Sequence, residues 1–136
     1  MKNNWYKEFD INSFDSNNGS LSVIEENKNI PFDIKRIFYE YNLDNNSIRG
    51  NHANKNSSFC FICLKGNVQI NIDNGFEKRK IILNNPKHVL YIDKMVWKTM
   101  SNFSKDCILL ILSNHYYDKN EYIKDYDQYL DLIKSK

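Results

Sequence analysis

The feature that most constrains this chain is a series of short apolar segments, each closed by a turn signal. Val68, Ile70 and Ile72 alternate with Gln69, Asn71 and Asp73, the period of a strand with one buried face. Asn74-Gly75 follows at once, the dipeptide best suited to a tight hairpin, and residues 77–83 read as its return strand. Further strands are expected over 21–24, 34–41, 59–64, 88–92 and 108–112, with a polar loop over 42–57 and a bend flanked by Trp97 and Met100. The 59–64 segment is apolar throughout and reads as a buried strand. A helical period appears only in the tail, where Tyr122, Tyr126, Tyr129, Leu130 and Ile133 recur every three to four residues. Glu121 and Asp125 lie early in that stretch and Lys134 and Lys136 late, which suits a helix dipole. The expectation is one all-β domain over 1–136, a cupin-like jelly roll (double-stranded β-helix) with a short C-terminal helix. Closure or dimerisation would protect its sheet edges.

Composition narrows the function classes. A chain of 136 residues has room for one sizeable core. The net charge is +2, and basic stretches carry acids beside them, as in Glu77-Lys78-Arg79-Lys80, so no nucleic-acid stripe is expected. The longest apolar run, 108–112, is strand-sized, so no membrane span is expected either. Met1-Lys2-Asn3-Asn4-Trp5 lacks the apolar stretch of a signal peptide, which makes the cytoplasm the expected location. Cys60 and Cys63 have a C-x-x-C spacing but sit in an apolar strand, and Cys107 lies in another; all three read as buried free thiols. Nine Tyr and eight Phe favour strands and can line a pocket for a ring-bearing ligand.

The densest chemical signal is Arg49-Gly50-Asn51-His52-Ala53-Asn54-Lys55. Gly50 permits a tight turn or a close approach. Arg49, His52 and Lys55 offer a planar fork, a base that titrates near neutral pH and a point charge. On an extended segment His52 and Asn54 share a face and can reach one small ligand together. Asn54 is a weak metal ligand, and His88 and His115 are distant in sequence, so no metal is expected. The plain alternative for His52 is a loop histidine bonded to a backbone carbonyl. Tyr39 is a candidate hydrogen-bond donor, or else sheet packing. Arg36 lies on the opposite face of the same strand. Trp97 is a candidate stacking platform or a core residue, and Lys98 places a charge beside it.

These residues resemble the nucleotide-sugar 3,4-ketoisomerases that act on dTDP-4-keto-6-deoxyglucose, also described as WxcM-like cupins. Arg49-Gly50-Asn51-His52-Ala53 is similar to that family's RGxHA signature, and Asp73-Asn74-Gly75 to its D-[DN]-G hairpin. The stretch from Tyr91-Ile92 to Met95-Val96-Trp97 resembles its I-P-P-x-x-W segment. Phe103-Ser104-Lys105-Asp106-Cys107-Ile108-Leu109-Leu110 resembles its F-S-x-D-x-x-L-L run. The resemblance runs from about Leu21 to Leu130. It implies a homodimer with exchanged N-terminal strands, a dTDP-sugar substrate and no metal or redox cofactor. It also implies carbonyl migration from sugar C4 to C3 by a proton shuttle through an enediol. The product would feed an aminotransferase on the way to a surface polysaccharide. His52, Tyr39 and Asn54 take the catalytic positions, with His52 as main base. Arg49, Lys55, Arg36, Trp97 and Lys98 are the candidate substrate-binding residues.

The chain departs from the family pattern at several of these places. The usual H-A-H is His52-Ala53-Asn54, and Asn cannot exchange a proton at neutral pH. A family Gln is Phe59, the I-P-P is Ile92-Asp93-Lys94, and the D-x-R-G reads Ser16-Asn17-Asn18-Gly19. Two other readings therefore stay open: an isomerase or epimerase of a different nucleotide sugar, and a nucleotide-sugar-binding protein without turnover.

Overall fold

Strand alternation decides which side chains meet in the middle of this protein. A computed structural model describes residues 4–135. Met1, Lys2 and Asn3 of the N-terminal segment, and Lys136 of the tail, lie outside the described residues. Two five-stranded antiparallel sheets face each other. The first runs in the order β1 (Tyr6–Asp10), β9 (His88–Ile92), β6 (Phe59–Lys65), β11 (Ile108–Ser113), β4 (Arg36–Glu40). The second runs β12 (Tyr122–Ile123), β5 (Arg49–Asn54), β10 (Trp97–Ser101), β7 (Val68–Asp73), β8 (Lys78–Leu83). The architecture is the cupin-like jelly roll. A separate hairpin joins β2 (Ser13–Ser16) to β3 (Gly19–Ser22).

The main core fills the space between the sheets, with Phe61, Ile70, Ile72, Leu90 and Leu109 among its buried residues. A second cluster covers the outer face of the first sheet. There Ile30 and Phe32, from the segment before β4, pack on Cys60, Ile62 and Leu112. β6 is thus buried on both faces, which explains its unbroken apolar sequence. Cys60, Cys63 and Cys107 are buried free thiols, and the sulfurs of Cys63 and Cys107 lie 3.8 Å apart.

Three expectations need correction. The 42–57 segment is not a loop throughout, because Arg49–Asn54 forms β5, an interior strand of the second sheet. Its polar composition hid it. Residues 97–101 form β10 and not a bend. Tyr122 lies in β12 ahead of the helix, since the Asp125 side chain accepts from the Gln128 N–H at 3.1 Å and starts α1 (Tyr126–Lys134) there. No helix among the described residues is long and apolar enough to cross a membrane.

α1 rests on the outer face of the second sheet through Tyr129, whose ring is fully buried. The Tyr129 hydroxyl reaches the carbonyls of Met95 (2.7 Å) and Asp73 (3.0 Å), and so ties the helix to both β7 and the turn before β10. Tyr129→Phe keeps the ring and leaves those carbonyls short of a donor. The expected loss is about 1–2 kcal/mol of unfolding free energy, read from the urea midpoint at unchanged m-value.

Candidate active site

β5 would not present its polar residues as it does without a bulge. Lys98 pairs with His52, but Thr99 pairs with Gly50 and Met100 with Arg49, so the register slips by one residue on β5. Gly50 (φ +83°) and Asn51 (φ +57°) absorb the slip in the left-handed region. Arg49 and His52, three residues apart, therefore face the same cavity, which regular alternation would forbid. Glycine is required at 50 twice over. A Cβ there would lie 2.9 Å from the Lys98 carbonyl oxygen and 3.2 Å from the Met100 sulfur.

The cavity holds about 370 Å³ between the sheets, within the range of small-molecule sites. His52 and Lys98 line it from the second sheet, and Phe38, Glu40 and Phe59 from the first. Tyr122 flanks His52, with ring centroids 4.7 Å apart. His52 Nδ1 lies 2.9 Å from the Gly50 carbonyl oxygen. A carbonyl only accepts, so Nδ1 carries the proton and Nε2 presents its lone pair. Burial, reinforced by the nearby charge of Lys98, lowers the His52 pKa to about 4, so the ring is neutral at physiological pH.

Lys98 is 3% exposed. Its ammonium donates to Asn54 Oδ1 at 2.8 Å and sits 4.6 Å from the Phe59 ring centre. Burial lowers its pKa to about 7; Glu121 opposes that shift and Arg36 adds to it. Glu121 comes from the 3-10 turn Lys119–Glu121 and is itself buried. Burial alone would raise its carboxyl pKa, but the Ser57 hydroxyl and the N–H groups of Asn56 and Ser57 donate to it and hold it below the usual range. Several buried polar atoms have no partner within the described chain: Glu40 Oε1, and Arg36 Nε and Nη2. Glu40 Oε2 accepts from Arg49 Nε at 3.0 Å, and the Arg49 side chain remains 51% exposed.

The expected site residues divide accordingly. His52, Arg49 and Lys98 share the cavity, and Asn54 lies behind it as the partner of Lys98. Arg36 points inward on β4 and stacks over Phe38, 4.5 Å from the ring centre. Three residues lie elsewhere. Tyr39 reaches the rim, but its ring is on the outer face of β4, 60% exposed and stacked on Tyr41. Trp97 is adjacent to inward-facing Lys98, so alternation turns it outward, where it packs on Tyr126 and Tyr129. Lys55 follows the end of β5 and is exposed outside the cavity. Sequence reasoning missed Glu40, Glu121 and Tyr122. Glu40 carried a weak signal, as an acid on the Arg36 face of its strand. The other two arrive from the tail with no local mark.

Comparison with known proteins places this arrangement in a family. The family model described as FdtA: WxcM-like, C-terminal matches residues 4–134. The TDP-4-oxo-6-deoxy-alpha-D-glucose-3,4-oxoisomerase of Aneurinibacillus thermoaerophilus is 41% identical over 111 residues, which cover 82% of this chain and 80% of that protein. The crystal structure of WlaRA, a TDP-fucose-3,4-ketoisomerase from Campylobacter jejuni, superposes with a TM-score of 0.88 at 54% identity, over 93% of this chain and 94% of that one. QdtA, a sugar 3,4-ketoisomerase from Thermoanaerobacterium thermosaccharolyticum solved in complex with TDP, gives a TM-score of 0.94 at 37% identity, over 97% of this chain and 96% of that one. The chain belongs to the FdtA/WxcM-like family of sugar-nucleotide 3,4-ketoisomerases, and it is an enzyme of that type.

The bulge supplies a direct test. Gly50→Ala forces a Cβ into the Lys98 carbonyl at a positive φ, with an expected cost of about 1–3 kcal/mol. A thermal melt should show a clearly lowered Tm, and turnover should fall with it because the His52 ring leans on the carbonyl of residue 50.

Proposed function

We propose that the protein converts TDP-4-keto-6-deoxyglucose into a TDP-3-keto-6-deoxyhexose, with His52 moving the carbon-bound proton. The observation that carries this reading is the His52 ring itself. Its Nδ1 is committed to the Gly50 carbonyl, and its free Nε2 belongs to a neutral imidazole that lines the cavity. A proton on the carbon next to a ketone is acidic enough for such a base once the developing oxyanion meets a donor. Nε2 takes the proton from C3 and returns it to C4, so one ring serves both carbons. Contact with Tyr122 limits the ring's rotation and keeps Nε2 aimed.

Substrate binding follows from charge and shape. Arg49 stands at the mouth, half exposed, with guanidinium donors beyond the one given to Glu40, and is suited to a diphosphate. The unpartnered Glu40 Oε1, which lines the cavity, offers an acceptor for a sugar hydroxyl. The names of relatives support the nucleotide and the keto sugar: one is an oxoisomerase of TDP-4-oxo-6-deoxyglucose, and another was solved with TDP.

The working unit in this proposal is a homodimer built through the N-terminal hairpin. Among the described residues β2 and β3 pair only with each other, and Phe14 and Leu21 face one another across them, 61% and 62% exposed. Two large apolar side chains on an isolated hairpin need a covering surface. The outer face of edge strand β4 carries exposed Ile37 and Tyr39, with exposed Tyr41 just after it, and a second copy supplies that face.

Two outcomes test these proposals. His52→Asn should lower kcat by about 10²–10⁴-fold while nucleotide binding persists. With substrate deuterated at C3, the wild type should carry that deuterium to C4 of the product in ordinary buffer, with activity falling as pH drops through about 4, where His52 gains a proton. A folded wild type that binds TDP-sugar without carbonyl migration would sink the reading. Independently, Phe14→Asp with Leu21→Asp should turn a dimer into a monomer in sedimentation velocity, and a wild-type monomer at tens of micromolar would refute the hairpin dimer.

A further inference from the structure

We infer that Lys98 is a second proton-transfer residue, serving the two sugar oxygens while His52 serves the two carbons, and that Asn54 is the residue that positions it. The inference rests on the ketoisomerase reading above and adds a group to it.

Placement comes first. Lys98 and His52 are cross-strand partners on β10 and β5, and both line the cavity. Alternation along β10 sends Lys98 inward with Met100, and Trp97 outward. The Lys98 ammonium has three donors, and Asn54 Oδ1 is the acceptor found for it within the described residues. The Phe59 ring covers another side. The remaining N–H groups can turn to the cavity, which Lys98 lines. An isolated buried ammonium is costly unless something accepts from it, and two vicinal oxygens of a bound hexose meet that need.

The charged and titratable groups around Lys98 are His52 from β5, Arg36 from β4 and Glu121 from the 3-10 turn. Glu121 attracts the ammonium without forming an ion pair with it, because its oxygens accept from Ser57 and Asn56. Burial and Arg36 outweigh that attraction and bring the Lys98 pKa to about 7. Ammonium and amine are then both accessible near neutral pH, as a group that gives and takes one proton in each turnover requires. Asn54 cannot exchange protons, but its amide oxygen holds Nζ. The family's second histidine thus has its counterpart here in a pair: Asn54 for position and Lys98 for the proton.

The step balances. His52 Nε2 takes the C3 proton, the C–H pair becomes the C3=C4 bond, and the carbonyl pair at C4 takes a proton from the Lys98 ammonium. The enediol then loses its O3 proton to the Lys98 amine, that O–H pair becomes the C3 carbonyl, and the C=C pair takes the proton back from the His52 imidazolium at C4. C4 is reduced and C3 oxidised within one molecule, and both side chains end as they began.

The test measures kcat and KM from pH 5 to 10 on TDP-4-keto-6-deoxyglucose for wild type, Lys98→Met, Lys98→Arg and Asn54→Leu. The wild type should lose kcat/KM as pH rises through about 7, where the ammonium is lost. Lys98→Met should drop kcat about 100-fold or more at a KM within about threefold. Lys98→Arg keeps the charge but cannot release its proton, so it should be equally slow and show no alkaline limb. Asn54→Leu should lower kcat about tenfold and displace the limb. Wild-type kcat in Lys98→Met, or a limb near 7 surviving in Lys98→Arg, overturns the inference. If Lys98→Met fails to fold, the Lys98→Arg profile decides alone, since it retains the buried charge. An active wild type with indifferent Lys98 variants refutes only the role of Lys98. A wild type that moves no carbonyl refutes the ketoisomerase reading and this inference with it.

Discussion

The slip between β5 and β10 is the constraint from which the cavity's chemistry follows. Had the ladder run without it, Arg49 and His52 would point to opposite faces of the sheet. The Gly50 carbonyl, at the slip, lies 2.9 Å from His52 Nδ1. One backbone irregularity thereby aims a side chain, selects its tautomer and fixes which nitrogen faces the cavity. The conformation needed at Gly50 is disfavoured for any residue with a Cβ, and the Lys98 carbonyl already fills the space a Cβ would take. Sheet register and active-site geometry are the same fact seen at two scales.

A cavity of this kind works against the core that surrounds it. Lys98, Asn54 and Glu121 are buried polar residues between layers that otherwise hold Phe, Ile and Leu. Their desolvation is offset where hydrogen bonds exist, and the tail supplies many of these. Glu121 gathers the N–H groups of Asn56 and Ser57, while the backbone of β12 pairs with Asn54 and Ala53. The tail in turn is fastened by Tyr129 to the carbonyls of Asp73 and Met95. A helix on the outside of the second sheet therefore supports the residues within it, through two strands and one turn.

Most of the strands were legible because their periodicity is uncorrupted. The 68–73 alternation with its Asn-Gly turn, the apolar 59–64 run and the 88–92 segment all appear as strands within a residue or so of expectation. β5 was not legible as a strand, since its inward face carries Arg49, His52 and Asn54 where a core strand carries apolar residues. The region where the pattern fails is the region where the cavity lies. The RGxHA motif found the place, but it could not say that Trp97 turns outward while Lys98 turns inward. Strand phase settles that, and β10 had been read as a bend. Glu121 and Tyr122 lie some seventy positions from His52 in sequence and meet it only through tertiary folding.

Electrostatics between His52 and Lys98 give the proposed shuttle a further coherence. Each cation disfavours the other, so the His52–Lys98 pair accommodates one positive charge more readily than two. Through the proposed cycle the count stays at one. Lys98 is charged and His52 neutral with the ketone bound; the roles reverse at the enediol; the first state returns with the product. When Lys98 gives its proton to O4, the repulsion that weakens His52 as a base disappears, at the moment the ring accepts a proton from C3. An amine and an imidazole begin about four units apart, and burial brings them close enough to trade a charge while leaving the resting proton on Lys98.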